Sequence, residues 1–259
     1  MKDRPALHFP KFMVIYNTSL VILSIYMFVE IIASAVYADY FTEKPLCCVY
    51  NSETPKNPKE MRITRVLYIY FLSKIVELMD TVMMVLRKKF DQVTFLHVLH
   101  HSSMLNIWWW VMVYIPGGQS WLSSSTNSFV HIVMYLYYAL AAIPACRPYL
   151  WWKKYITKLQ LSQFFIILYH TLQTGFTGCD FPMWSQILLT SYMLLLIVLF
   201  GNFYVQAYIK KKREYNRKLE SSEKNGYISN GTNGRVSNGH HYKNGLPNGH
   251  SSDVLKKEN

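Results

Sequence analysis

Six apolar stretches, each near the length a helix needs to cross a bilayer, occupy most of this chain (about residues 12–37, 64–86, 95–115, 122–144, 157–175 and 184–209). Inside hydrocarbon a segment must satisfy its own backbone polar groups, so helices are the expected structure. The fold class read from this pattern is an all-α, polytopic membrane protein with six transmembrane helices. Ala33-Ser34-Ala35 resembles a signal cleavage site. The apolar run before it is too long for a signal peptide, however, and Glu30 interrupts it.

Charge placement orients the helices. The net charge is +12, and its clusters are Lys2/Arg4/Lys11, Arg87-Lys88-Lys89, Arg147 with Lys153-Lys154, and Lys210-Lys211-Lys212-Arg213. Six spans put all four clusters on one side, which the positive-inside rule makes cytosolic. Both termini are then expected in the cytosol, with the loops near 38–63, 116–121 and 176–183 in the lumen. No soluble basic domain offers a nucleic-acid surface. Residues 1–213 read as one transmembrane domain. Residues 214–259 turn to Asn, Gly, Ser and Lys, with six Asn-Gly dipeptides, and read as a disordered cytosolic tail. The tail ends with Lys256 and Lys257 in a pattern resembling a di-lysine retrieval signal of the endoplasmic reticulum. An oxidising lumen permits a disulfide from Cys48, or Cys47, to Cys179, with free thiols as the alternative.

Polar residues recur at helical spacing within the apolar stretches. Lys74, Glu77, Asp80 and Thr81 share one face of the second. His97, His100 and His101 share one face at the start of the third. In the fourth, Asn127, His131, Met134, Tyr135 and Tyr138 form a stripe, with Tyr137 left to packing. In the fifth, Thr157, Gln160 and Gln163 recur every third residue, with His170 further along. Ionisable groups in a membrane helix mark function by default. Four such stripes at one depth point to a polar chamber opening to the cytosol. Asp80 is placed to orient an imidazole, Lys74 and Glu77 to pair, and the two glutamines to bind a carbonyl without adding charge.

Three chemistries compete for that chamber. An iron-dependent oxygenase or desaturase needs histidines spread over several boxes. Only His97, His100, His101, His131 and His170 lie in the apolar region. The i, i+3, i+4 spacing on one helix also suits a tetrahedral metal site poorly. A transporter or lipid channel usually shows repeats and broken helices, and no repeat is visible here. A buried neutral imidazole can instead act as base or nucleophile. No cysteine or registered serine stands beside the histidines to take an acyl group.

The ordered patterns Lys74-x-x-Glu77-x-x-Asp80-Thr81, His97-x-x-His100-His101, His131-x-x-Met134-Tyr135-x-Tyr137-Tyr138 and Thr157-x-x-Gln160-x-x-Gln163 resemble the very-long-chain fatty acid elongases over about residues 1–209. The resemblance implies a 3-ketoacyl-CoA synthase of the endoplasmic reticulum that joins an acyl-CoA to malonyl-CoA, releasing CO2 and CoA. It implies a helical barrel around an acyl-chain tunnel and no bound cofactor or metal. His100 is implied as acyl acceptor, His131 as its partner in the second half-reaction, and His97 and His101 as shaping the site. Lys74, Glu77, Asp80, Asn127, Tyr135, Tyr138, Gln160, Gln163 and His170 are implied to contact substrate. Arg87, Lys88, Lys153 and Lys154 are candidates for the CoA phosphates. Membrane lipid, 3-ketoacyl-CoA reductase, 3-hydroxyacyl-CoA dehydratase and trans-enoyl-CoA reductase are the implied partners, and a homodimer is compatible with the pattern. Gln92-Val93-Thr94-Phe95-Leu96-His97 resembles the branch acting on polyunsaturated and very long chains. Met1-Lys2-Asp3-Arg4-Pro5 resembles the loop after the family's first membrane helix, so that helix is expected to be lacking.

Overall fold

Residues 5–41, 47–49, 56–210, 212–214, 216–218 and 221 are described by the structure, a computed structural model. Lys256, Lys257 and most of the predicted tail lie outside them. The elements are α1 (Pro10–Tyr37), α2 (Pro58–Glu77), α3 (Met79–Leu86), α4 (Phe95–Tyr114), α5 (Ser120–Ala142), α6 (Lys153–Phe176) and α7 (Met183–Tyr204), with a 3-10 segment at Pro144–Tyr149. Strands are absent among the described residues. Each apolar stretch therefore became a helix, the second in two pieces.

The helix ends follow local chemistry. Pro58 opens α2, where Asn57 Oδ1 accepts the backbone N–H of Lys59 at 3.0 Å. Thr94 caps α4 by accepting the N–H of His97 at 3.2 Å. The ladder breaks at Leu78, whose N–H reaches Ile75 O at 3.3 Å and ends α2. Beyond α6, Gly178 adopts a left-handed φ of 68° that a side chain would strain, and Cys179 follows.

The chain separates into two compact units, Met1–Phe200 and Gly201–Asn259. In the second, a π-helical turn at Val205–Lys210 follows the end of α7, and residues 212–214, 216–218 and 221 are helical. The first unit is built on α1 against α5; Ser24, Ser34 and Ala35 are buried on α1, and Ser124, Ser125 and Ser128 on α5. Small residues let two backbones approach closely. Met27, Ile31, Ile63, Leu67, Trp108 and Trp121 knit α1, α2, α4 and α5 together. Phe164, Ile167, Tyr192 and Leu196 join α6 to α7. Glu30, the charge in the first apolar stretch, accepts from Arg62 Nε and Nη2 at 2.6 and 3.0 Å.

Side chains are distributed inside-out. Lys74, Glu77, Asp80, Asn127, His131 and Gln163 are buried, while Ile15, Ile22, Val29, Phe165, Ile187 and Val198 are exposed. Water would oppose both halves of that arrangement, and hydrocarbon favours both. By length and apolarity alone, two of the six expected spans qualify as membrane-crossing among the described residues, Pro10–Tyr37 and the helix starting at Met183. The others carry the polar stripes, which lower their average hydropathy.

The disulfide corrects the expected Cys48–Cys179 pairing. It joins Cys47 to Cys179 across 132 residues of sequence. Cys48 instead points into the core, 2% exposed among the residues around Tyr40 and Trp121. We expect Cys47→Ser or Cys179→Ser to lower stability by about 2–5 kcal/mol, read by thermal unfolding in detergent. Cys48→Ser should leave the bridge intact in non-reducing peptide mapping.

Candidate functional site

The Thr94 cap fixes the start of α4 and so places His97, His100 and His101 on its first two turns. From one face the three rings diverge. His97 Nε2 lies 2.9 Å from Thr81 Oγ1 on α3. His101 sits between the others, its ring centroid 4.4 Å from His97 and 5.5 Å from His100. His100 lines an elongated cavity bounded by α2, α4, α5, α6 and α7.

That cavity follows α4 from His100 to Ile115. At 1.5 Å per residue this wall is about 22 Å long. Near His100 it is polar, with Tyr70, Asn127 and Gln163; Met104, Ile107, Phe164 and Ile167 line the bore beyond. His170 stands two turns past Gln163 on the same wall. Trp184 and Ser185 lie toward the other end.

A buried network adjoins the cavity through Asn127. Lys74 Nζ donates to Glu77 Oε1 at 2.7 Å and to Asn127 Oδ1 at 3.1 Å. Tyr70 donates its hydroxyl to the same Oδ1 at 2.5 Å. His131 Nδ1 lies 3.2 Å from Glu77 Oε1. None of these side chains is more than lightly exposed. A carboxylate at Nδ1 holds the proton there and leaves Nε2 as the basic nitrogen. Spacing predicts Asp80 as the carboxylate that orients an imidazole; Glu77 fills that place at His131. Asp80 Oδ2 instead accepts from Tyr135, one turn along α5, at 2.8 Å.

The remaining predicted residues divide. Gln163 reaches the cavity, whereas Gln160 turns its amide to Met134 Sδ at 3.7 Å. Tyr135 is buried, but Tyr138, predicted to share its inward face, is 39% exposed. Tyr137 packs edge-on against Trp152 at 5.3 Å, as expected. Arg87 and Lys88 are half-buried after α3, and Lys153 and Lys154 are exposed at the start of α6. Among the described residues, no three His, Cys, Asp or Glu side chains are placed to share a metal ion.

Two tyrosines at the site were missed from sequence. Tyr70 precedes Lys74 by one turn and lies on the stripe of Lys74 and Glu77, so the helical period could have found it. Tyr192 bonds Ser103 at 2.8 Å and faces the cavity from α7. It is isolated in an apolar helix and carried no pattern.

Comparison with known proteins places these residues in context. The family model described as ELO: GNS1/SUR4 matches residues 1–216. The chain is 44% identical over 228 residues to very long chain fatty acid elongase 2 of Mus musculus, covering 88% of this chain and 75% of that protein. It is 45% identical over 219 residues to very long chain fatty acid elongase 5 of Xenopus tropicalis, covering 83% and 72%. Against elongase 5 of Bos taurus the identity is 41% over 237 residues, covering 92% and 77%.

The ion pair in the network yields a stability test. Lys74→Met strands the Glu77 carboxylate in the interior and should destabilise the protein by about 3–5 kcal/mol. Lys74→Met with Glu77→Gln removes both charges and should recover most of that loss, measured by thermal unfolding in detergent.

Proposed function

The chain belongs to the ELO: GNS1/SUR4 family and is an acyltransferase of very-long-chain fatty acid elongation, and on that footing we propose how its residues divide the condensation. The reaction joins an acyl-CoA to malonyl-CoA and yields 3-ketoacyl-CoA, CO2 and CoA. The observation that carries the reading is the cavity, with His100 at one end and a long bore behind it that is apolar along α4 and carries scattered polar groups on the facing helices.

In this reading the acyl tail occupies the bore and its thioester lies at His100. An imidazole nitrogen attacks the thioester carbon, the C–S bond breaks, and CoA leaves with the imidazole proton. Malonyl-CoA then loses CO2. Its enolate carbon bonds to the acyl carbon as the C–N bond breaks, and the departing His100 nitrogen takes a proton from solvent. His131, with Nδ1 held by Glu77, serves the second half-reaction through Nε2. Nucleophile and base are both side chains, so the scheme draws on no metal.

The surroundings fit the same reading. Neighbouring contacts pass from α2 through α1, α5, α6 and α7 to α4, which reads as a six-helix barrel around the bore. The exposed apolar shell suits a multi-pass protein of the endoplasmic reticulum membrane, with both termini cytosolic by the charge rule. Arg87, Lys88, Lys153 and Lys154 would then sit on the side from which CoA arrives. Lys256 and Lys257 would act as a retrieval signal. The product needs a ketoreductase, a dehydratase and an enoyl reductase to complete a cycle. The branch resemblance before His97 and the polar lining at His170 favour polyunsaturated chains.

The test uses purified protein in detergent with a polyunsaturated acyl-CoA and labelled malonyl-CoA. Labelled 3-ketoacyl-CoA should form and should fall by at least about 1000-fold in His100→Ala. His131→Ala should still release one equivalent of CoA from acyl-CoA alone while losing the condensed product. Full condensation by His100→Ala would remove the nucleophile assignment.

A further inference from the structure

We infer that Asn127 is a further catalytic residue, donating its side-chain N–H to the carbonyl oxygen of the acyl group as negative charge develops there. The inference rests on the condensing reaction proposed above and adds a group for which that scheme gave no role.

The orientation of the Asn127 amide is fixed by its neighbours. An ammonium group is a donor only. The atom 3.1 Å from Lys74 Nζ must therefore be oxygen, not nitrogen. The Tyr70 hydroxyl donates to the same oxygen at 2.5 Å. With Oδ1 held twice, Nδ2 is turned away from both donors and has no hydrogen-bond partner among the described residues. Asn127 is only 5% exposed. It lines the cavity that His100 also lines. A ligand in that cavity is what remains to accept from the amide.

The chemistry matches the need. When the His100 nitrogen bonds to the thioester carbon, the carbonyl π pair moves to oxygen. When the tetrahedral species collapses, that pair re-forms the carbonyl and the C–S bond breaks. The malonyl-derived carbanion later forces the same oxygen through the same change as the C–C bond forms and the C–N bond breaks. A donor locked beforehand by Lys74 and Tyr70 needs no reorganisation at either moment, which is the condition under which such donors are most effective. The polarity is also reinforced, because a cation on Oδ1 draws electron density from the amide and strengthens its N–H as a donor.

Asn127→Asp keeps an oxygen for Lys74 and Tyr70 and deletes the donor, and it also adds a carboxylate beside the Lys74–Glu77 pair. Asn127→Leu is the uncharged second variant. Both should condense at a kcat about 100-fold or more below the parent. Two non-reacting ligands separate catalysis from structure. A thioether analogue, S-alkyl-CoA, has no carbonyl and should bind both variants as it binds the parent. A ketone analogue, S-(2-oxoalkyl)-CoA, should bind them about 10-fold more weakly. A kcat within about threefold of the parent overturns the inference, as does equal weakening of both analogues. If the parent itself makes no 3-ketoacyl-CoA, the condensing scheme fails separately, and the analogue pair still reports whether Asn127 holds a carbonyl.

Discussion

The ion pair of Lys74 and Glu77 is the interaction on which the rest of the interior depends. Two charges in a medium of low polarity must be matched to each other and hydrogen-bonded at their remaining positions. Here those positions are filled from α5. Glu77 meets His131, and Lys74 meets Asn127. One pair on α2 therefore ties α2 to α5 and fixes the orientation of His131 and of Asn127, the second of which lines the cavity. Replacing the pair with apolar residues of equal size need not unfold the protein, but it would take the carboxylate from His131 and leave Asn127 held by Tyr70 alone.

The inside-out surface follows from the same economy of placement. A polar chamber can sit within a bilayer only if the helices turn their polar stripes toward one another and their Leu, Ile, Val and Phe toward lipid. The cavity then has two zones. Beside His100 the walls carry Tyr70, Asn127 and Gln163, where the proposed scheme puts the thioester; for about 20 Å beyond, the α4 wall is apolar, while α5, α6 and α7 add polar groups such as Ser120, Thr174 and Ser185. A reaction that lengthens a hydrocarbon chain while working on its polar end requires that division.

Much of this was legible in the sequence because hydropathy and the 3.6-residue period are local signals. The apolar stretches predicted most of the helices to within about five residues, although the second starts earlier, at Pro58, and is broken at Leu78; the Lys74–Glu77 spacing predicted their pairing. The histidine box was legible as one face of a helix, but its division of labour was not. Which ring reaches Thr81, which reaches a neighbouring ring and which reaches the cavity depends on the helices opposite. Glu77 rather than Asp80 meets His131 for the same reason: both lie on the right face, and only the alignment of α2 with α5 selects between them. Tyr138 was assigned inward by periodicity, yet a stripe wider than the contact leaves its edge exposed. Cys47 and Cys48 are equivalent in sequence and are distinguished only by which one faces the core.

The most direct test of this account is the intact mass of the protein quenched after incubation with acyl-CoA alone, followed by peptide mapping. The account predicts a gain of one acyl group, carried by the peptide containing His100. The adduct should persist in His131→Ala and disappear when malonyl-CoA is added to the parent. An unmodified parent protein, or an acyl group mapped to another residue, would contradict it.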